Sequence, residues 1–309
     1  MHHANHYYGH SYVMARYCGF QGDPPRIRGY LQHGWNIGDG LAPDHEYVPG
    51  VPSFVWSERT RRRAWSMGRR RVHVTGAPLA YLLAMTQPSL SSPAEPREGT
   101  IWYPFHGWEG QHVQGDHDRL IADIKDTEPG PVTVCLYWQE YRTAAVRRRY
   151  ERAGFRVICH GYRGGWWKDL DPGFLDRQLG ELLRHERVAS NRLCSAVLYG
   201  ALAGCEPAVY GDPMQLRDEK DLFGGRQRIR RQWAALHGTR VDPVVAHAVA
   251  VDELGADRLL TPAELRALFG WSGSASPPSE LSPSSEPSPP GDPSLLSEPS
   301  PPRKPEAVA

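Results

Sequence analysis

The chain has 309 residues and a formal net charge of +1, with 36 Lys and Arg against 35 Asp and Glu, so charge alone argues against a dedicated nucleic-acid binder. Five cysteines, Cys18, Cys135, Cys159, Cys194 and Cys205, are odd in number and set in apolar patterns, which suits reduced core thiols better than a disulfide framework. With no stretch of eighteen apolar residues and no signal-peptide profile at MHHANHYYGH, the sequence reads as a soluble, cytoplasmic protein.

In chain order, the first part predicts a helix over His10–Cys18, a strand over Ile27–Gln32, a strand over Ser53–Trp56, a helix over Arg59–Met67 and a strand over Arg71–Thr75. This is a short α/β lobe, residues 1–86. The His2, His3, His6 and His10 cluster at its start has metal-like spacing, but it has no Cys or acid partner and stands at an expected frayed end, so no metal is assigned. Residues 87–99, rich in Pro, Ser and Glu, read as a linker.

A clean alternation follows. Strands are expected at Thr100–Phe105, Val132–Tyr137, Arg156–His160, Val188–Ala189 and Pro207–Tyr210, and helices at Asp116–Lys125, Thr143–Ala153, Asp171–His185 and Leu193–Cys205. Strands alternating with helices of this length imply right-handed βαβ units and a parallel, doubly wound sheet. Helices over Asp221–Leu236 and Pro243–Leu254 close this second lobe, residues 100–271, and Thr261-Pro262-Ala263-Glu264 is a capping box opening one more. The fold class is therefore α/β, two Rossmann-like lobes with a cleft between them. From 272 to 309 the chain holds 11 Pro and 11 Ser with few aliphatic residues, too little apolar surface to offset chain entropy, and it reads as a disordered tail.

Candidate site residues lie where strands end. Arg187–Asp212 reads as strand, polar loop, small-residue helix and strand, and a helix N-terminus there presents N–H groups and a positive dipole end to a phosphate. Ser190, Asn191 and Ser195 sit at that point, although any doubly wound domain has such a loop, and neither a GxGxxG nor a P-loop supports it. His33 follows the first strand; a neutral imidazole there could take a proton from a hydroxyl, or it could simply bond a backbone carbonyl. Glu58 is the other candidate base and Arg59 a candidate phosphate clamp, unless Glu58 only pairs with the arginines around it. His106 and His160 end strands of the second lobe, where they could meet diphosphate oxygens or anchor loops. Asp212 suits a sugar hydroxyl or a turn cap before Pro213. Seven arginines between Arg59 and Arg71 could rest on an anionic membrane surface or form a solvated face. No acid pair with metal-ligand spacing occurs in these loops, so neither a catalytic metal nor a cofactor is expected.

Taken in order, GYLQHGW, FVWSER, a strand ending in TGAP, YPFHGWEG and SNRLCSAVLYGALAGCEPAVYGD resemble GT-B-type transferases of bacterial surface polysaccharides. The similarity is to the group of CDP-glycerol glycerophosphotransferases, capsule sialyltransferases and epimerase-like glycosyltransferases, over roughly residues 5–270. The resemblance implies inverting, metal-independent transfer from a nucleotide-activated donor in the C-terminal lobe to a glycan or metabolite acceptor in the N-terminal lobe. Residue by residue it implies His33, in an HG step with Gly34, as the catalytic histidine and Ser190 or Ser195 as the donor-phosphate serine; the strand-end reading adds Glu58 as the other candidate base, Gly34 and Arg59 at the acceptor, and His106, His160, Asn191 and Asp212 at the donor. SNRLCS stands in place of the family's tighter serine pair and the first lobe is short, which leaves open an epimerase or hydrolase on the same fold, or a non-catalytic pseudo-glycosyltransferase.

Overall fold

The computed structural model describes residues 3–35, 48–86, 96–107, 110–165, 170–217, 219 and 225–271. The predicted tail, 272–309, and most of the predicted linker, 87–99, lie outside the described residues. Residues 1–276 form one compact unit.

The strands are β1 Tyr30–Leu31, β2 Ser53–Val55, β3 Val72–Val74, β4 Thr100–Tyr103, β5 Val113–Gln114, β6 Val132–Cys135, β7 Arg156–Ile158, β8 Arg187–Ser190, β9 Glu206–Val209 and β10 Gln215–Leu216. The helices are α1 His10–Tyr17, α2 Glu58–Ser66, α3 Pro78–Thr86, α4 His117–Thr127, α5 Trp138–Arg142, α6 Ala144–Arg152, α7 Phe174–Arg184, α8 Ser195–Leu202, α9 Gly225–Gln232, α10 Pro243–Leu254 and α11 Pro262–Phe269. The α/β class with parallel sheets is as the alternation predicts. β1, β2 and β3 form a three-stranded sheet in that order, all parallel. A second, five-stranded sheet runs β7-β6-β4-β8-β9, again all parallel.

Alternate residues of the larger sheet face opposite layers, as period two requires. Trp102, Val134, Ala189 and Ala208 join Leu120 and Ile124 of α4 and Tyr150 of α6 in one core. Ile101, Val188 and Val209 point the other way, into a larger core with α7 and α8. That larger core also holds Leu31, Phe54 and Trp56 from the three-stranded sheet and Leu254, Phe269 and Trp271 from the C-terminal segment, so the two sheets share it. Helix ends follow their caps. Asp116 accepts from the N–H groups of Asp118 and Arg119, Asp242 from those of Val244 and Val245, and the Thr261–Glu264 box closes in both directions.

Four features depart from the sequence reading. The N-terminus is held rather than frayed: buried Asn5 donates to the Gly29 carbonyl at 2.9 Å and accepts from the Leu31 N–H at 2.8 Å. Helices α3 and α5 stand where no element is predicted, and β5 pairs antiparallel with β10 across about a hundred residues of chain. The helix predicted over Asp221–Leu236 is α9 followed by a 3-10 turn at Ala234–Leu236, its first residues lying outside the described set. All five cysteines are free thiols.

Candidate functional site

In the five-stranded sheet the chain runs from β4 outward through β6 to β7, then returns to the other side of β4 for β8 and β9. The order therefore reverses between β4 and β8, and the loops at the carboxyl ends of those two strands splay apart around a crevice. Pro104–Gly107 leaves β4 there, and Asn191–Cys194 leaves β8.

Asn191 spans the crevice. Its Oδ1 accepts from the Phe105 N–H at 2.6 Å and its Nδ2 donates to the Asp212 carbonyl at 2.6 Å, so one buried amide ties together the loops after β4, β8 and β9. Ser190 is buried, its hydroxyl accepting from the Arg192 N–H at 3.2 Å. Asp212 caps its own turn, accepting from the Met214 N–H at 2.8 Å. His106 donates through Nδ1 to the Gly107 carbonyl at 2.7 Å and stacks on Tyr137, ring centres 4.5 Å apart. These four residues are brought to one sheet edge.

Arg192, which sequence reasoning passed over, fills the space behind them. Buried, it donates to the Pro213 carbonyl at 2.6 Å and to the Met214 carbonyl, forks onto both Glu219 oxygens at 2.7 and 2.8 Å, and lies 3.5 Å over the Phe105 ring. Burial works to raise the Glu219 carboxyl, but the hydrogen bonds and charge of Arg192 outweigh it and hold the group below its ordinary range.

His160 belongs to a different environment. It is buried beside β7, bonded through Nε2 to the Tyr103 hydroxyl at 2.9 Å, and burial pushes it down to about 3. Its carbonyl accepts from the Arg177 guanidinium at 3.0 and 2.6 Å.

The carboxyl edge of the three-stranded sheet carries His33, Glu58 and the Gly76 loop together, because its strands are parallel. Gln32 fixes the His33 loop: its Oε1 accepts from the Trp56 N–H at 2.8 Å and its Nε2 donates to the Gly34 carbonyl at 2.9 Å. The His33 ring stands edge-on to Tyr7 at 4.9 Å and tilted against Tyr8 at 5.5 Å. One residue beyond Gly34, Trp35 makes the connection between the sheets. Its backbone N–H donates to the Ser195 hydroxyl at 3.0 Å, at the first turn of α8, and its indole N–H donates to Glu253 Oε2 at 2.8 Å.

Glu253, on α10, is 2% exposed and also pairs with Arg59, whose guanidinium lies 5.2 Å over Trp233. Burial raises the Glu253 carboxyl above its usual range despite Trp35 and Arg59. Glu58 points elsewhere. It pairs with Arg61 at 2.6 Å and Arg258 at 3.7 Å, on a hollow of about 430 Å³ shared with His73, Leu260 and Glu264. Thus the structure joins the His33–Trp35 loop to Ser195, and Arg59 to that loop through Glu253, while the Glu58 carboxylate is taken up by arginines. Trp35 closes the GYLQHGW segment without a role that the segment announces, and Glu253 and the Arg192–Glu219 pair carry no periodicity or local motif; an arginine set among the small residues of SNRLCS was the one further signal.

Among the described residues no group of three or more His, Cys, Asp or Glu could hold a metal ion, and no helix is long and apolar enough to cross a membrane. No family model and no curated protein matches the chain. Solved structures similar to it include the wall teichoic acid polymerase TagF, at 11% identity over 81% of this chain and 65% of that one, with a TM-score of 0.41. A UDP-N-acetylglucosamine 2-epimerase from Rickettsia bellii is similar at 11% identity over 71% and 56%, with a TM-score of 0.35. A third, Os79 from O. sativa in complex with UDP, is similar at 10% identity over 69% and 52%, with a TM-score of 0.28. The chain spans less than two thirds of the length of each.

Proposed function

We propose that this chain is a glycosyltransferase-like enzyme of GT-B type that takes a sugar, or glycerol phosphate, from a nucleotide-activated donor and gives it to a glycan or metabolite acceptor. One observation carries the reading: the His33 loop of the three-stranded sheet is hydrogen-bonded through Trp35 to Ser195, beside the crevice where the strand order of the five-stranded sheet reverses. A base from one sheet and a phosphate-binding helix start from the other then flank one spot.

In this reading the donor diphosphate lies against Ser190, Asn191 and the first turn of α8, with His106 and Asp212 at its margins and His160 behind as a neutral, buried support. The acceptor lies on the Gly34 and Arg59 side. With a sugar donor an acceptor hydroxyl oxygen attacks the anomeric carbon and the bond to the leaving nucleoside diphosphate breaks; with a glycerol phosphate donor it attacks the outer phosphorus and a nucleoside monophosphate leaves. In both the hydroxyl proton passes to His33, since the Glu58 carboxylate is paired with Arg61 and Arg258. The charge that grows on the diphosphate meets fixed N–H dipoles, which favour it more in the transition state than in the ground state. No metal or cofactor is assigned a step.

A non-catalytic pseudo-transferase is the second reading, favoured by a specific observation: Asn191, Arg192 and Ser195 already bond to other parts of the chain. An epimerase or hydrolase would differ in releasing product without an acceptor. Thermal melting against UDP, GDP, CDP, TDP and CMP compounds, with magnesium and with EDTA, separates the first two. A selective rise in melting temperature that survives EDTA is expected, since a ligand bound only to the folded state stabilises it. No rise with any nucleotide, together with unchanged cellular function on His33→Ala, would leave the pseudo-transferase.

A further inference from the structure

Helix α2 starts at the carboxyl end of β2 and runs back, so its last turn and the segment Met67–Arg71 reach the amino end of β3, the end of the sheet opposite the His33 loop. Not all of its arginines are available there: Arg59 is held by Glu253 and Arg61 by Glu58. Arg62, Arg70 and Arg71 are exposed, Arg70 donating to the Trp65 carbonyl at 3.2 Å and Arg71 to the Gly50 carbonyl at 2.6 Å. That last bond draws the Val48–Val51 turn against the same rim.

Five large apolar side chains are exposed among the described residues, and three of them, Val48 at 57%, Trp65 at 42% and Met67 at 43%, stand on this rim. Singly such residues need no explanation; three together, flanked by arginines, do. Between Glu58 and Glu95 the sequence has no acid; on the Val48 side, Asp44 and Glu46 precede the turn and lie outside the described residues.

We propose that this rim docks the protein on an anionic lipid bilayer. Guanidinium groups match lipid phosphates, an indole suits the headgroup level, and methionine and valine side chains suit the acyl boundary beneath it. A single-stranded nucleic acid fits less well, because it calls for successive aromatic platforms and the one indole here is already covered on a face by Arg61, 4.7 Å from its centre. Docking by the amino-end rim leaves the carboxyl-end loops of the same sheet facing away from the lipid. The proposal stands independently of the reaction assigned above.

The test is co-sedimentation of the full chain with vesicles of phosphatidylcholine alone and of phosphatidylcholine with phosphatidylglycerol in equal parts. Binding is expected only to the anionic vesicles and should weaken as salt rises. Arg62→Gln with Arg70→Gln should lower partitioning roughly twenty-five-fold, the product of about fivefold for each charge near the surface. Trp65→Ser with Met67→Ser should weaken binding while leaving its salt dependence, and Arg148→Gln with Arg152→Gln on α6 should change nothing. Unaltered melting temperatures check that these surface variants fold. Equal binding to neutral vesicles, no binding to either, or binding to polyuridylic acid in place of vesicles would overturn the proposal.

Discussion

His10 and His160 are buried in a way that ties stability to pH. Burial pushes each from 6.5 down to about 3, so both are neutral in the folded protein at ordinary pH. The unfolded chain takes up their protons as pH falls through about 6.5, while the folded chain waits until about 3. Their contribution is therefore complete above pH 6.5 and is lost progressively below it, by about 2 kcal/mol per histidine at pH 5. Glu253 works the other way, since burial raises it, and its folded form gains on acidification over the span just above its ordinary value. Two histidines outweigh one carboxylate. Urea midpoints should be lower at pH 5 than at pH 7.5, and His10→Gln should flatten the slope; a midpoint constant over that range would show the imidazoles to be charged or exposed.

At the scale of the element, α8 is informative because its small residues follow from where it packs. A Cβ on Gly200 would stand 2.7 Å from Val188 Cβ, so the helix touches β8 with no room for a methyl group. Gly200→Ala would normally gain about 1 kcal/mol in helix propensity. Here we expect overpacking to win, lowering stability by roughly 1–3 kcal/mol in urea titrations, and a stabilised variant would mean that α8 can move off the sheet. The same packing explains what was legible beforehand. Between Thr100 and Val209 the strands of the five-stranded sheet are apolar runs and α4, α6 and α7 each carry an apolar stripe, so these elements and their order could be read along the chain, whereas α5, five residues with none buried, could not. Helix α3 could not, since Pro78, Leu79, Ala80, Tyr81 and Leu82 are all buried and leave no stripe. The ribbon of β5 and β10 has two residues per strand and a partner far away in sequence. In the candidate site, His33 on one sheet and His106, Ser190 and Asn191 on the other could be picked out beforehand because parallel strands bring the loops at their carboxyl ends to one edge of each sheet. Trp35, Glu253 and Arg192 make contacts 21 to 218 residues apart, which no local pattern announces.

For the whole molecule the decisive feature is the core shared by the two sheets. Phe54 on β2 packs on Phe269 at 4.8 Å, the Arg28 N–H donates to the Phe269 carbonyl at 3.0 Å, and Trp271 meets Phe20 at 5.4 Å. Two sheets so joined should lose structure together. Tryptophan fluorescence and far-ultraviolet circular dichroism should report one coincident urea transition, and two separated transitions would mean that each sheet holds its own core. The return of the chain to its beginning also bears on biosynthesis. A ribosome releases the three-stranded sheet early, and until Phe269 and Trp271 follow, that sheet presents Phe54 and Phe20 uncovered to the cell. Its nascent form thus keeps apolar surface open to other partners until those residues emerge, and a chain cut before Phe269 is expected to be less soluble than the full one.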